Sequence, residues 1–259
     1  MSFRVENISD DSNLVGVLVP ENTRVLIVNN MKLKSFVGCP QGIVEIVAYS
    51  NYLSDFEGLP STIKRLDISN NNYTSLDGCP ESIEELRCSK NKIVSLNGLA
   101  NLTKLRSLGC SHTHIVSFVG CPQSVIKIVA AFTKLETLIG CPKTMDILYA
   151  SYNKIRNLEY CPSAKILDLS CNLLVNINGL PDDVEEFCIS NNFDLREMPS
   201  SLPLTLRTFR CSGCLNLNVN IYSLMPAKIV LVECCKNPFH DFSNDWLQRL
   251  SLLGVEIIC

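Results

Sequence analysis

The sequence of 259 residues is poor in charge, and neither sign is in marked excess. Charged residues make up 19% of the chain, and the formal net charge is -3. Lys and Arg are interspersed with Asp and Glu, whereas a surface that binds phosphates needs clustered cations. The composition therefore argues against a nucleic-acid partner.

Long hydrophobic runs are also missing. No stretch reaches the roughly 18 apolar residues of a membrane helix, so we expect no membrane partner. The first residues, Met1 to Asn7, contain no apolar segment followed by a small-residue cleavage site, so no secretory signal is visible. These absences predict a protein of the reducing cytoplasm.

Motifs for catalysis are the third absence. The sequence has no nucleophile signature, phosphate-binding loop or paired catalytic carboxylates. We therefore expect a protein without enzymatic activity and without a cofactor.

A period of about twenty residues, marked by proline, is what the sequence does have. A fixed period of this length predicts a one-dimensional array of identical supersecondary units. The units begin at Pro20, Pro40, Pro60, Pro80, Ala100, Pro122, Pro142, Pro162, Pro181, Pro203 and Pro226.

Each unit contains one short strand. The alternation Leu66-x-Ile68 returns in the next unit as Leu86-x-Cys88, and it is too short for an amphipathic helix. An asparagine follows the strand, and a buried amide there can satisfy backbone groups of the turning chain. We predict a structural asparagine ladder formed by Asn51, Asn71, Asn91, Asn153, Asn172, Asn192 and Asn237, with Thr113, Thr133 and Cys214 as substitutes.

The unit Ile63-x-x-Leu66-x-Ile68-x-x-Asn71-x-Tyr73 resembles the leucine-rich repeat, whose pattern is L-x-x-L-x-L-x-x-N-x-L. The resemblance implies an α/β fold by convention, a curved solenoid with a parallel β-sheet on its concave side. The short unit is similar to those of bacterial effectors and of amoebal and large-DNA-virus proteins, and implies a mostly extended convex side with little helix. For an effector or viral protein, the compartment would be the host cytosol.

The ends of the array are expected to be capped, because an open solenoid exposes its core there. Residues 1–19 read as an N-terminal cap or degenerate repeat, and 20–240 as an array of about eleven units. Residues 241–259 read as a C-terminal cap with a short helix that contains Trp246. We expect the whole chain to form a single structural domain.

Most of the fourteen cysteines fall into two columns when the units are aligned. One column precedes the repeat proline, where Leu59 and Leu99 alternate with cysteine, and the other is the inward strand position shared with Ile68. This interchange predicts hydrophobic packing, although stacked pairs could meet the Cα distances of a disulfide. Zinc remains an alternative for the set Cys211, Cys214, Cys234 and Cys235, but their register does not bring four thiols together, so we predict no metal.

The function is expected on the outward side chains of the concave sheet. Apolar and aromatic residues recur there in adjacent units beside charged ones, as in a protein-binding surface. The predicted binding residues are Val47, Tyr49, Asp67, Arg87, Val129, Phe132, Tyr149 and Tyr152. The sequence leaves two alternatives open: a structural or self-associating homodimeric role, and a substrate adaptor for a ubiquitin ligase, for which no recruiting motif is found.

Overall fold

The computed structural model describes residues 1–8, 11–216, 224–226, 228–236 and 254–258. The chain divides into two compact units, Met1–Val129 and Ala130–Cys259. Residue Asn237 of the predicted ladder and the helix expected in 241–259 lie outside the described residues.

The first unit is a parallel sheet in which each strand pairs with the next one along the chain. Its strands are β1 Ser2–Arg4, β2 Val25–Ile27, β3 Glu45–Val47, β4 Arg65–Asp67, β5 Glu85–Arg87, β6 Ser107–Gly109 and β7 Lys127–Val129. The register is constant, since Leu66 lies beside Leu86 as Ile46 lies beside Leu66. Residues 1–19, expected to form a cap or degenerate repeat, thus contribute strand β1.

The second unit continues the same parallel pattern. Its strands are β8 Thr144–Tyr149, β9 Ser163–Asp168, β10 Glu186–Cys188, β11 Thr208–Arg210, β12 Leu231–Glu233 and β13 Glu256–Ile258. Strands β8 and β9 have six residues instead of three, because the turn that follows the proline in other coils is absent there. Strand β13 lies within 241–259, where the sequence predicted only a cap.

The core forms because one side chain of each strand points into the coil. In β4 the middle residue Leu66 is buried while Arg65 and Asp67 face outward. Buried residues further along the coil, such as Ile68, Tyr73 and Leu76, fill the same interior. The predicted alternation is therefore confirmed, and it places one row of outward side chains on each side of the buried row.

Two consecutive turns return the chain from one strand to the next. The N–H of Leu59 donates to Phe56 O at 3.2 Å, and the N–H of Ile63 donates to Pro60 O at 3.2 Å. Gly58 lies within the first turn at φ +87°, and a Cβ at this position would meet the backbone of the preceding coil at Phe36 and Val37. In most coils the repeat proline therefore begins a turn, Pro142 and Pro162 before the longer strands β8 and β9 being exceptions, and the return segment has as little helix as the resemblance implied.

Helix is almost absent from the described residues. The element Asn97–Leu99 is a single turn of 3-10 helix, at the coil where the sequence loses its proline. Within the described residues, no helix is long and apolar enough to cross a membrane.

Candidate protein-binding face

The residue after the buried one in each strand, such as Val47, Asp67 or Arg87, faces outward. This row, together with the exposed residues that follow each strand, forms what we call the open sheet face. It is the face that the sequence predicted to be concave and to bind a partner. Its geometry is set by the coil interior beneath it, which includes the asparagine ladder.

Each ladder asparagine joins its own coil to the preceding one. The amide of Asn71 donates to Ala48 O and Ile68 O, both at 3.0 Å, and Asn71 Oδ1 accepts from the N–H of Leu53 at 3.0 Å. Asn91 repeats the pattern on Ile68 O, at 2.9 Å. Buried polar groups need such partners. The structure shows this bonding pattern for Asn51, Asn71, Asn91, Asn153, Asn172 and Asn192.

Threonine replaces the asparagine in two successive coils. The hydroxyl of Thr113 donates to Cys110 O at 2.7 Å. The hydroxyl of Thr133 donates to Oδ1 of Asn153 at 2.6 Å. Cys214 is buried, with its thiol 3.4 Å from Ile189 O. These residues occupy the ladder position, as the sequence predicted, with fewer hydrogen bonds than an amide can make.

The residue before each ladder position has a left-handed backbone conformation, with φ between 54° and 73°. A bulky side chain is uncommon in this region, whereas Asn and Gly are favoured there. We call this set the left-handed column. Its members are Asn30, Ser50, Asn70, Lys90, His112, Phe132, Tyr152, Cys171, Asn191, Gly213 and Lys236.

Two aromatic residues of the left-handed column stack on each other in the second unit. The ring centroids of Phe132 and Tyr152 are 4.1 Å apart and the ring planes differ by 12°. Phe132 is 46% exposed and Tyr152 is 52% exposed. Hydrogen bonding to the thiol of Cys171 raises the pKa of Tyr152. We call Phe132 and Tyr152 the aromatic pair.

Tyr149 lies in the same coil as Tyr152, at the end of β8. Its register partner on β9 is Asp168, whose carboxylate accepts from the N–H of Ser170 at 2.9 Å. Three of the predicted binding residues therefore lie on the open sheet face of the second unit. Val129 ends β7 in the first unit and is partly exposed.

The other four predicted residues border a shallow depression in the first unit. Its volume is about 370 Å³, and Val47, Tyr49, Asp67 and Arg87 line it together with a charged row from the strands β3, β4 and β5. Arg65 pairs with Glu45 at 2.8 Å and Arg87 pairs with Glu85 at 2.8 Å. The charges of this depression thus largely neutralise one another within the chain.

The cysteines that precede the repeat prolines are buried or nearly so, and all described cysteines are free. Burial raises the pKa of Cys39, Cys79, Cys121 and Cys161 to about 12, because the interior disfavours the thiolate. Such thiols are hydrophobic fillers at neutral pH. Among the residues that the structure describes, no group of three or more His, Cys, Asp or Glu side chains could hold a metal ion.

Two features of this face are missing from the sequence prediction. The first is the charged row Glu45, Arg65 and Glu85, which precedes the buried strand residue and also faces outward. The second is the left-handed column. Asn70 and Asn191 are a signal for it, because asparagine tolerates φ above zero.

No protein-family model matches this sequence. No curated protein matches it either. Solved structures match the fold: a leucine-rich-repeat protein of Leptospira interrogans superposes with a TM-score of 0.64 at 19% identity, over 92% of this chain and 72% of that one. An internalin, InlF, of Listeria monocytogenes gives 0.65 at 14% identity, over 92% and 80%.

YopM of Yersinia enterocolitica gives a TM-score of 0.59 at 19% identity, and covers 83% of this chain and 58% of its own. At these identities the comparisons establish the fold. The twenty-residue period, the parallel strands, the asparagine ladder and the turn-built return segments all agree with it. The chain is a leucine-rich-repeat protein by fold, of the short-repeat type.

Proposed function

We propose that the chain is a non-enzymatic interaction module that binds a protein partner on the open sheet face, with Phe132, Tyr149 and Tyr152 as the central contacts. The carrying observation is the aromatic pair, exposed and stacked in the left-handed column. Exposed aromatic side chains grouped above a rigid sheet are typical of binding hot spots. The proposal includes the reducing cytoplasm as the compartment, in keeping with the free cysteines.

The left-handed backbone at Phe132 and Tyr152 is a reason to expect a function for the aromatic pair. A left-handed conformation costs a side chain with a Cβ about 1–2 kcal/mol. Asparagine at Asn70 and Asn191 reduces this cost, and Gly213 avoids it. Phe132 and Tyr152 bear this cost with about half of each residue exposed to water, and their local gain is the stacking on each other rather than packing in the core. Backbone strain at exposed residues is typical of functional positions.

The test replaces the aromatic pair with the residue that the column itself favours. Phe132→Asn and Tyr152→Asn are expected to change the free energy of unfolding by less than about 1 kcal/mol, because lost stacking offsets the relaxed backbone. Both aromatic contacts together would be worth more than about 2 kcal/mol of binding, or a loss of roughly 30-fold in affinity.

The matched control is Tyr160→Asn. Tyr160 is also an exposed tyrosine at positive φ, but it lies in the turn before a repeat proline, outside the open sheet face. The wild-type chain, the Phe132→Asn and Tyr152→Asn double variant and the Tyr160→Asn variant are immobilised and incubated with cytosol, and captured proteins are quantified by mass spectrometry. Partners that the Tyr160 variant retains and the double variant loses support the proposal. Equal capture by all three proteins contradicts it.

Self-association is separated by sedimentation velocity at several concentrations. A dimer that dissociates in the Phe132→Asn and Tyr152→Asn double variant would identify a second copy of the chain as the partner of this face.

A further inference from the structure

We propose that the partner segment of the aromatic pair is an acidic stretch of protein with a large apolar side chain, whose carboxylates lie over Lys134 and Lys154. This inference deepens the proposed function and rests on it. It is carried by the distribution of charge along the two edges of the sheet.

In the described part of the chain, the left-handed column and the column that follows it contain no acidic side chain. A second set of residues follows the left-handed column by two positions, and its described members are exposed or partly exposed. We call this set the exit column. The described members of the exit column are Lys32, Tyr52, Asn72, Lys92, His114, Lys134, Lys154, Leu173, Phe193 and Leu215. The charged residues among these described members are all lysines, although the whole chain has more acidic than basic residues.

The edge that precedes the strands is different, because there both signs occur and they pair between coils. In the second unit Lys165 pairs with Asp146 at 2.8 Å, and Arg207 lies 3.8 Å from Glu185. Lys64 and Glu84 pair in the same way in the first unit, at 2.8 Å. The charges of these three pairs are therefore satisfied inside the chain.

Lys134 and Lys154 have no such partner. Both are exposed, and neither takes part in an ion pair within residues 11–216, which the structure describes without a gap. Buried Thr133 separates Phe132 from Lys134, and buried Asn153 separates Tyr152 from Lys154. Each ring of the aromatic pair is therefore followed two residues later by an exposed lysine, and the two coils concerned are neighbours about 4.8 Å apart.

Within residues 11–216, neither Glu136 nor Asp168 forms an ion pair with Lys134 or Lys154. Glu136 follows Lys134 by two residues. In the next coil the equivalent position, two residues after Lys154, is Arg156. Asp168 lies on the strand side, and its carboxylate accepts from the backbone of Ser170. Two unpaired cations beside an apolar platform are complementary to carboxylates next to an apolar anchor.

A nucleic-acid strand fits the same observations less well. Single-stranded nucleic acids need stacking surfaces for successive bases along a cationic groove. Here the faces of the two rings are closed against each other at 4.1 Å, and the opposite edge of the same unit carries Asp146 and Glu185.

The probe is a phage-displayed library of random dodecapeptides, selected on the immobilised wild-type chain in reducing buffer. We expect the enriched peptides to contain an excess of Asp and Glu around one aromatic or large aliphatic residue. A labelled enriched peptide should bind about tenfold more weakly to the Lys134→Glu and Lys154→Glu double variant, and more weakly still in high salt. The matched control Lys165→Glu, on the opposite edge, should change its Kd by less than about twofold.

Each outcome decides one of the two proposals. This inference is overturned by peptides that require the aromatic pair but show no excess of Asp and Glu. It is also overturned by peptides whose Kd is the same for the wild type and for the Lys134→Glu and Lys154→Glu double variant. Both outcomes leave the proposed function standing. A library without enrichment, or enrichment indifferent to Phe132→Asn and Tyr152→Asn, overturns the proposed function. Tighter binding of labelled oligouridine than of any enriched peptide would make the occupant a nucleic acid and refute the acidic segment.

Discussion

Removing two neighbouring amides of the asparagine ladder should cost more than the sum of removing each one. The reason is that each bridging carbonyl accepts from two asparagines. Ala48 O accepts from Asn51 and from Asn71, both at 3.0 Å, whereas Ile68 O accepts from Asn71 and Asn91. Asn51 and Asn91 share no acceptor.

The magnitudes follow from counting the groups that lose their last partner. Asn71→Leu leaves the N–H of Leu53 without its acceptor, while Ala48 O and Ile68 O each keep one amide. One buried unsatisfied group costs about 1–3 kcal/mol, so we expect a loss near 2 kcal/mol for this variant. Leucine is chosen because its side chain has the same number of heavy atoms and the same branching as asparagine, but no hydrogen-bonding atoms.

The double variant Asn51→Leu and Asn71→Leu also removes both donors from Ala48 O. We expect a coupling free energy of about 1–2 kcal/mol between these two sites. The control pair Asn51→Leu and Asn91→Leu should be additive within about 0.5 kcal/mol.

Urea unfolding in reducing buffer, followed by far-ultraviolet circular dichroism, measures these free energies. Hydrogen exchange gives an independent reading, because the amide of Leu53 should exchange faster in the Asn71 variant. Equal coupling in both pairs, or coupling below about 0.3 kcal/mol in the neighbouring pair, would refute the shared-acceptor account.

Three further predictions concern the coil interior and its turns. Gly58→Ala should cost clearly more stability than Gly78→Ala in thermal unfolding, because both have positive φ but only Gly58 faces the backbone of the preceding coil; equal losses would contradict this. Cys79→Leu should leave stability at pH 7 nearly unchanged and raise it by about 2 kcal/mol at a pH near 10.5. The pKa of this thiol is raised from 9.0 to about 12 by burial, so its contribution is full below pH 9 and is lost as the pH rises towards 12; parallel pH profiles of wild type and variant would refute it. Tyr73→Phe removes the hydrogen bond from the buried hydroxyl to Asp55 O and should cost about 1 kcal/mol in urea unfolding, whereas no loss would show that water replaces the bond equally well.

The fold could be predicted from the sequence because every coil repeats the same few constraints. Leu66 and Ile68 alternate around an outward residue, and Asn71 then closes the coil. The six-residue strands could not be predicted from that pattern. The coil that begins at Pro162 reaches its inward residue Leu167 one position earlier than its neighbours, so the usual turn is lost and the segment pairs with the preceding coil.

The candidate site could be predicted only in part. Alternation identifies which strand residues face outward, and it correctly places Tyr149 and Arg87 on the open sheet face. The left-handed conformation after the strand has no hydrophobic period to reveal it. Its weak signal, Asn at Asn70 and Asn191, is obscured where Phe132 and Tyr152 take the same place.

The charges on the edge before the strands alternate in sign from coil to coil in part of the second unit. This alternation affects which deletions of coils leave opposite charges side by side. Along Asp146, Lys165, Glu185 and Arg207 the sign reverses at every coil. Deleting the coil of Lys165 would place Asp146 beside Glu185, whereas deleting that coil and the next would place it beside Arg207. Each exposed pair is worth only about 0.2–1 kcal/mol. Even so, within these four coils the loss of two adjacent coils preserves the alternation and the loss of one breaks it, so this segment favours changes in repeat number by two.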